Sequence, residues 1–206
     1  MISNIRIISA LSFLLVCLPA VSQKEERARQ IILKSLDLIQ TPSGIQLDYR
    51  AHCTRLFTKD GTLTMKGKMF RRQSKRTIEW YNGSNHWSLN RASQKLKLNM
   101  PSEYGNDKDI GVYLQQVRTD YDFTVKETRE GYLVSLKAKK NARVDIKNVV
   151  ALIDRTTYEP IRLKMRWGIF WVTVDIKHIK KVCYPDSYYE FDPRQYPNVK
   201  VIVKKR

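Results

Sequence analysis

The chain has 206 residues, of which 42% are hydrophobic and 28% are charged, and its formal net charge is +18 at pH 7. This length fits one domain or two small ones, and the composition excludes a disordered, collagen-like or disulfide-stapled chain. So large a basic surplus indicates a polyanionic partner or surface, or a strongly solvated exterior.

The start of the chain has the pattern of a secretory signal peptide. One cation, Arg6, precedes an apolar run over 7–18 that is too short to span a bilayer. Pro19 ends the run, and small residues follow at the two positions of 20–22 that a signal peptidase reads. We therefore expect cleavage before Gln23 and an exported protein.

Two other interpretations of this segment remain open. One is an uncleaved N-terminal anchor. The other is a lipoprotein acylated on Cys17, which bulky Val16 disfavours because a small residue should precede that cysteine. The preferred division is a signal peptide over 1–22 and one domain over 23–206, in which a nucleic-acid partner is not expected because the protein leaves the cytoplasm.

Two segments have helical periodicity. Over 24–40 the apolar residues recur at intervals of three and four, and 41–44 (T-P-S-G) ends the pattern. Over 107–118 the residues Ile110, Tyr113, Leu114 and Val117 form one stripe. The sequence thus predicts an N-terminal amphipathic helix and a short mid-chain helix.

Most of the remaining chain alternates apolar and polar residues with a period of two. The first such run covers 45–57, and 59–61 (K-D-G) predicts the hairpin turn that follows it. Further turns are predicted at 82–85, 130–131 and Gly168, and 199–203 predicts a last edge strand. We count about ten or eleven strands with no βαβ rhythm.

This pattern predicts an α+β fold: an antiparallel sheet curled into an incomplete, half-open β-barrel, covered by the N-terminal helix and the short lid helix. One sheet face is expected to be apolar throughout. Because two helices cover only part of such a face, the remainder is expected to enclose a cavity.

The cysteines and histidines give little sign of chemistry. Cys53 and Cys183 either pair in an oxidising compartment or remain buried free thiols, and the sequence leaves both open. His52 adjoins Cys53, but neighbours on a strand point to opposite faces, so they do not form a nucleophile–base pair. Metal-ligand spacing, a P-loop and a dinucleotide fingerprint are missing from the sequence. We expect no enzyme, no cofactor and no metal.

Four segments of the chain carry motifs that together resemble one known family. Segment 79–87 (E-W-Y-N-G-S-N-H-W) is similar to the family's W-x-D-G-x-x-x-W hairpin. Segment 98–103 resembles the strand and proline before the lid helix, 151–161 the I-D-x-x-T-Y-x-P turn, and 191–202 the F-x-x-x-x-Y-P-x-x-x-V-I close. In their order and spacing, these segments together resemble the LolA-like family of outer-membrane lipoprotein carriers, in the variant found in Bacteroidetes-type bacteria.

The resemblance implies a periplasmic carrier, expected to be a monomer, that shields the acyl chains of lipoproteins or lipids in an apolar cavity. It also implies an inner-membrane release machinery and an outer-membrane acceptor as partners. Flexible methionines suit a loosely packed cavity, although a close-packed core is the alternative. The candidate lining residues are Leu47, Tyr49, Met65, Met69, Ile78, Trp80, Trp87, Leu98, Met100, Ile110, Leu114, Val117, Leu163, Met165 and Trp167.

A run of cations over 66–76 is the candidate docking surface for an anionic membrane or an acidic receptor. A merely solvated exterior is its alternative. Two other functions stay open: a periplasmic lipid- or lipoprotein-sensing regulatory domain on the same fold, and a polyanion-binding module that uses the basic surface. The candidate docking residues are Lys66, Lys68, Arg71, Arg72, Lys75 and Arg76.

Overall fold

The computed structural model describes residues 19–54, 56–99 and 110–203. Helix α1 (Pro19–Ile39) confirms the predicted N-terminal helix and begins a turn and a half earlier, so that it includes the expected cleavage position. Helix α2 (Ile110–Thr119) confirms the mid-chain helix, while residues 107–109 of that prediction lie outside the described residues.

Twelve strands within the described residues form one sheet. The order of the strands across it is β12-β6-β5-β4-β3-β2-β1-β11-β10-β9-β8-β7. The strands are β1 (Ile45–Cys53), β2 (Phe57–Lys66), β3 (Met69–Ser74), β4 (Thr77–Tyr81), β5 (His86–Asn90), β6 (Lys95–Asn99), β7 (Tyr121–Glu127), β8 (Tyr132–Ala138), β9 (Asn148–Ile153), β10 (Pro160–Trp167), β11 (Phe170–Lys181) and β12 (Lys200–Val203).

The sheet confirms the predicted incomplete barrel, because its edge strands β7 and β12 are not paired with each other in the described part of the chain. The predicted tail strand is also confirmed as β12. It pairs with β6 in parallel, whereas the other neighbouring pairs are antiparallel. The parallel pairing follows from a long connection that returns across the sheet.

The first hairpin differs from its prediction. The chain turns after Cys53 and β2 begins at Phe57, so the K-D-G segment over 59–61 lies inside β2. Gly61 is paired with Tyr49 across the strands, and a Cβ on Gly61 would lie 2.7 Å from the Tyr49 hydroxyl oxygen. The glycine is therefore needed because an aromatic ring packs over it, and not because the chain turns there.

Helix α1 packs across β7, β8 and β9 and buries one side of the sheet there. We call the sheet face under α1 the inner face and the opposite face the outer face. Ala28, Ile31 and Ile32 of α1 are buried against alternate residues of these strands, among them Phe123 and Val134. The predicted amphipathic stripe of α1 thus forms one layer of the core.

The second buried layer lies on the outer face, on β4, β5 and β6. There the C-terminal segment (184–199) crosses the strands, with two short 3₁₀ helices (Asp186–Tyr189 and Pro193–Gln195). Trp80 contacts the rings of Phe191 and Tyr196 edge to face at 5.6 and 5.5 Å between centroids. The C-terminal segment therefore covers the outer face of β4, β5 and β6, which neither predicted helix covers.

Cys53 and Cys183 are both free thiols, with Cys53 buried and Cys183 exposed. In the register of β1 with β11, Ile45 lies opposite Lys181 and Cys53 lies opposite Val172. The two cysteines therefore lie near opposite ends of β1, roughly 25 Å apart at ~3.3 Å per residue. A disulfide between them is excluded in this fold, because it requires Cα atoms within about 7 Å.

Candidate functional site

The apolar face of the sheet changes sides at β3. From β7 to β2 in sheet order the apolar residues lie on the inner face, as Leu163, Val174 and Leu47 do. On β4, β5 and β6 most of them lie on the outer face, where Trp80 pairs with Trp87 and Trp87 with Leu98, while Tyr81 of β4 still packs on the inner face. The expectation of one continuous apolar face therefore does not hold.

The register divides the candidate lining residues accordingly, since directly paired residues share a face. On the inner face lie Leu47, Tyr49, Met65, Leu163 and Met165. Five others, which were expected to line the same cavity, lie on the outer face: Met69, Ile78, Trp80, Trp87 and Leu98.

The remaining candidates lie elsewhere. Val117 of α2 packs against the core beneath α1. Ile110 and Leu114 belong to α2, and Trp167 is the last residue of β10. Met100 lies outside the described residues.

A strip of half-buried apolar side chains crosses the middle of the inner face. Its strands, β2, β1, β11 and β10, are neighbours at the centre of the sheet. Central sheet positions are normally covered fully by a second layer, so half-exposure of contiguous apolar side chains there indicates a binding surface. We call this strip the inner strip; its residues are Tyr49, Leu63, Leu163, Met165, Val172, Val174 and Ile176.

Helices α1 and α2 are fastened along one side of the inner strip. The guanidinium of Arg118 on α2 donates to Asp37 Oδ1 on α1 at 2.9 Å and to Gln40 Oε1 at 3.1 Å. Arg27 on α1 forms an ion pair with Glu127 of the edge strand β7. These exposed polar contacts add little to the packed core that holds α1 on β7, β8 and β9.

A charged group marks the other side of the inner face, where the inner face becomes polar. Arg72 Nη2 donates to Glu79 Oε2 at 2.5 Å, and His86 Nε2 lies 3.7 Å from the same oxygen. Burial would raise the pKa of the Glu79 carboxyl, but hydrogen bonding from His86 and the charge of Arg72 outweigh it and hold this pKa below its ordinary value. Glu79 is therefore an ionised carboxylate that ends the apolar surface.

The six candidate docking cations do not form one patch. Lys66 pairs with Asp186 at 2.7 Å between Nζ and Oδ1, and Arg71 lies over the rings of Trp80 and Tyr188 on the outer face. Arg72 points to the inner face, because neighbours on a strand alternate. Lys68 and the pair Lys75 and Arg76 lie in the turns at opposite ends of β3, roughly 20 Å apart at ~3.3 Å per residue.

Sequence reasoning left Val172, Val174 and Ile176 out of the candidate lining. Their alternation was visible, but the register with β1 is what places them beside Tyr49 and Ala51. The bulge on β11 opposite Asp48 and Tyr49 also keeps Ile176 and Ile179 on the same face, which a strict period of two would not predict.

A polar groove of about 510 Å³ is separate from the inner strip, apart from the shared residue Tyr49. Asp48, Asp60, Lys177 and His178 are among its lining residues. Among the described residues, three or more His, Cys, Asp or Glu side chains do not come together in a way that could hold a metal ion. None of the helices in the described ranges is both long and apolar enough to cross a membrane.

Residues 18–169 match the family model described as "Outer membrane lipoprotein carrier protein LolA". The chain therefore belongs to this family, whose fold is that of a lipid- or lipoprotein-binding carrier. The predicted resemblance to the LolA-like family is confirmed, and three of its four segments lie within the matched residues. No curated protein matches the sequence significantly.

Solved structures of several bacterial proteins are similar to this chain. An uncharacterized conserved protein from Thermus thermophilus shares the fold at a TM-score of 0.59 and 10% identity, over 86% of this chain and 99% of that chain. A DUF1329 family protein from Desulfovibrio piger has a TM-score of 0.45 and 13% identity, over 81% and 97%. A LolA superfamily protein from Nitrosomonas europaea has a TM-score of 0.40 and 9% identity, over 80% and 97%.

Proposed function

We propose that the protein is a periplasmic carrier that holds the acyl chains of a lipoprotein or lipid against the inner strip and delivers them toward the outer membrane. The half-buried apolar strip at the centre of the sheet is the observation that carries this proposal. Membership of a family described as lipoprotein carriers supports the cargo class.

The physical chemistry of the strip suits reversible binding of an acyl chain. Removing hydrocarbon from water stabilises the bound state by about 0.8 kcal/mol per methylene, and the strip supplies aliphatic side chains without a competing charge. Met165 adapts to irregular contours, and Tyr49 contributes a flat wall. Glu79 and Arg72, at the edge of the apolar surface, are positioned beside the polar end of a cargo molecule.

The proposal also includes the export of the protein and the transfer of its cargo between two membranes. The apolar run over 7–18 and the small residues after it support export with cleavage before Gln23. Such a carrier would receive cargo from an inner-membrane release machinery and pass it to an outer-membrane acceptor. Mass spectrometry of the protein purified from the cell envelope tests the export step. The measured mass should correspond to a chain that begins at Gln23.

The test of cargo binding combines native mass spectrometry of the envelope-purified protein with titration of a fluorescent fatty acid, cis-parinaric acid. We expect acyl-bearing molecules to accompany the wild-type protein. The double variant Met165→Gln/Val174→Thr keeps side-chain volume but makes the strip polar. It should bind the probe about tenfold more weakly, which corresponds to about 1.4 kcal/mol.

The matched control is Lys164→Gln, which changes an exposed residue of β10 between Leu163 and Met165 but on the other face. It should bind the probe as the wild type does. Equal probe affinity of the double variant and the wild type, with no acyl-bearing molecule recovered from the envelope, would rule out the inner strip as the cargo site.

A further inference from the structure

Two neighbouring hairpins end in exposed apolar side chains. At the β1–β2 turn, Leu56 is 57% exposed and Phe57 is 36% exposed. At the β10–β11 turn, Ile169, Phe170 and Trp171 are 78%, 47% and 42% exposed. Large apolar side chains that project together from a surface mark an interaction site more often than chance exposure does.

The strand register brings these two turns to the same end of the sheet. Cys53, the last residue of β1, lies opposite Phe57 on one side and opposite Val172 on the other. β1 and β11 are direct neighbours, so the two turns project side by side. We call Leu56, Phe57, Ile169, Phe170 and Trp171 the apolar tip.

Most of the exposed large apolar side chains in the described part of the chain belong to the apolar tip. In the described part of the chain only three other large apolar side chains are exposed, namely Leu38, Val201 and Ile202. Leu38 lies near the end of α1, and the other two lie on the edge strand β12. Function, and not chance, best explains five exposed apolar side chains on two adjacent turns.

The charged residues within the two hairpin segments that carry the tip are all basic. Segments 49–59 and 160–174 each hold three basic residues and no acidic residue. Lys59 Nζ lies 5.5 Å from the centroid of the Phe57 ring, and Arg166 Nε donates to the Gly168 carbonyl oxygen at 3.2 Å. Neither cation pairs with an acid among the described residues, although Arg50 pairs with Asp60 and Arg162 with Asp175 farther from the turns. An apolar tip with a cationic collar matches the layered chemistry of an anionic bilayer surface.

The tip also has the shape and residue types of a membrane contact. It consists of two adjacent hairpin turns at one end of the sheet. Trp and Phe side chains favour the interface between headgroups and hydrocarbon. Phe57 and Phe170 lie on the inner face, Phe57 level with Val172 across Cys53 and Phe170 two residues beyond Val172, so the inner strip continues onto the tip.

We propose that the apolar tip inserts into the surface of an anionic bilayer and holds the open end of the inner strip against the membrane. This goes beyond the proposed carrier function, because it assigns a membrane-contact site that acts with or without cargo. It also differs from the cation run over 66–76, which the structure divides between two faces and two ends of β3.

The test is flotation of the envelope-purified protein with vesicles of phosphatidylethanolamine and phosphatidylglycerol, compared with vesicles of phosphatidylcholine alone. We expect the protein to float with the anionic vesicles and much less with the neutral ones. The variant Ile169→Ser/Trp171→Ser should bind the anionic vesicles at least about tenfold more weakly, because it removes the most exposed side chain and the interfacial indole.

The matched control is Val201→Ser/Ile202→Ser, which removes two other exposed apolar side chains at 56% and 41% exposure. It should float as the wild type does. The proposal is overturned if wild-type protein ignores anionic vesicles, if the tip variant floats unchanged, or if the control variant loses binding equally.

Binding of cis-parinaric acid by the same proteins tests the carrier function independently of vesicle binding. The tip variant should keep wild-type probe affinity. Loss of vesicle binding with retained probe binding supports the tip, whereas vesicle binding by a protein that never binds the probe would leave the tip intact and overturn only the carrier proposal.

Discussion

The surroundings of Glu79 have two opposing effects on the pKa of its carboxyl group. Its side chain is only 14% exposed, which by itself would raise its pKa, yet it lies between Arg72 and His86. The partners outweigh burial, and the pKa falls below the ordinary value of 4.5. A carboxyl group with a lowered pKa stabilises the folded state above its unfolded pKa, and this stabilisation is lost as the pH falls through the folded-state pKa.

The variant Glu79→Gln should therefore lower the free energy of unfolding at pH 7 by roughly 1–3 kcal/mol, the range for buried hydrogen bonds to a charged group. The difference from wild type should shrink as the pH falls from the ordinary carboxyl pKa through the lowered folded-state pKa, because the wild-type carboxylate is then protonated as well. Denaturant unfolding at several pH values measures it. Glu130→Gln, in the exposed β7–β8 turn, is the control. A difference that stays constant down to about pH 3 would contradict the assignment.

At the scale of elements, the C-terminal segment takes the place that the sequence assigned to a helix or to open cavity. Its aromatic residues Phe191 and Tyr196 stack on each other at 5.6 Å and cover Trp80. The resemblance identified this segment as a family feature, but the alternation of β4, β5 and β6 did not reveal which face it would cover. Trp80 and Trp87 were consequently assigned to the cavity.

The variant Tyr196→Ala should destabilise the protein by about 1–3 kcal/mol, since it removes a half-buried ring from an aromatic cluster. Tryptophan emission should shift to the red as Trp80 becomes hydrated. Binding of cis-parinaric acid should not change, because this cluster lies on the outer face. Gln195→Ala, an exposed residue of the same 3₁₀ helix, is expected to be neutral. A large loss of probe affinity in Tyr196→Ala would show that the cargo binds on the outer face, which would contradict the assignment of the cargo site to the inner strip.

At the scale of the whole molecule, the sheet is held by strand pairing and two apolar layers, and no covalent link between Cys53 and Cys183 is needed. These residues lie near opposite ends of β1. The open edges at β7 and β12 leave the barrel incomplete, which permits access to the inner strip. The fold class was predicted correctly because the short strand spacing and missing βαβ rhythm are whole-chain properties.

The melting temperature should accordingly be the same with and without a reducing agent, and Cys183→Ser should be neutral because this residue is exposed. Cys53→Ser should lower the melting temperature, since it places a hydroxyl at a buried position. Differential scanning calorimetry compares the melting temperatures of the wild-type protein with and without a reducing agent and of the two cysteine variants. A marked loss of stability on reduction of the wild-type protein would show that the cysteines pair after all.

The amino-acid sequence by itself determined the elements, the incomplete barrel and the family, because periodicity, turn residues and motif order are local or additive properties. It did not determine the position of the first turn, because the sequence alone does not distinguish a strand glycine that lies under the Tyr49 ring from a glycine in a hairpin turn. Only the tertiary structure decided which side of each strand is interior. Alternation defines two faces, but the choice between them depends on which distant segment packs there: α1 on the inner face at β7–β9, and residues 184–199 on the outer face at β4–β6.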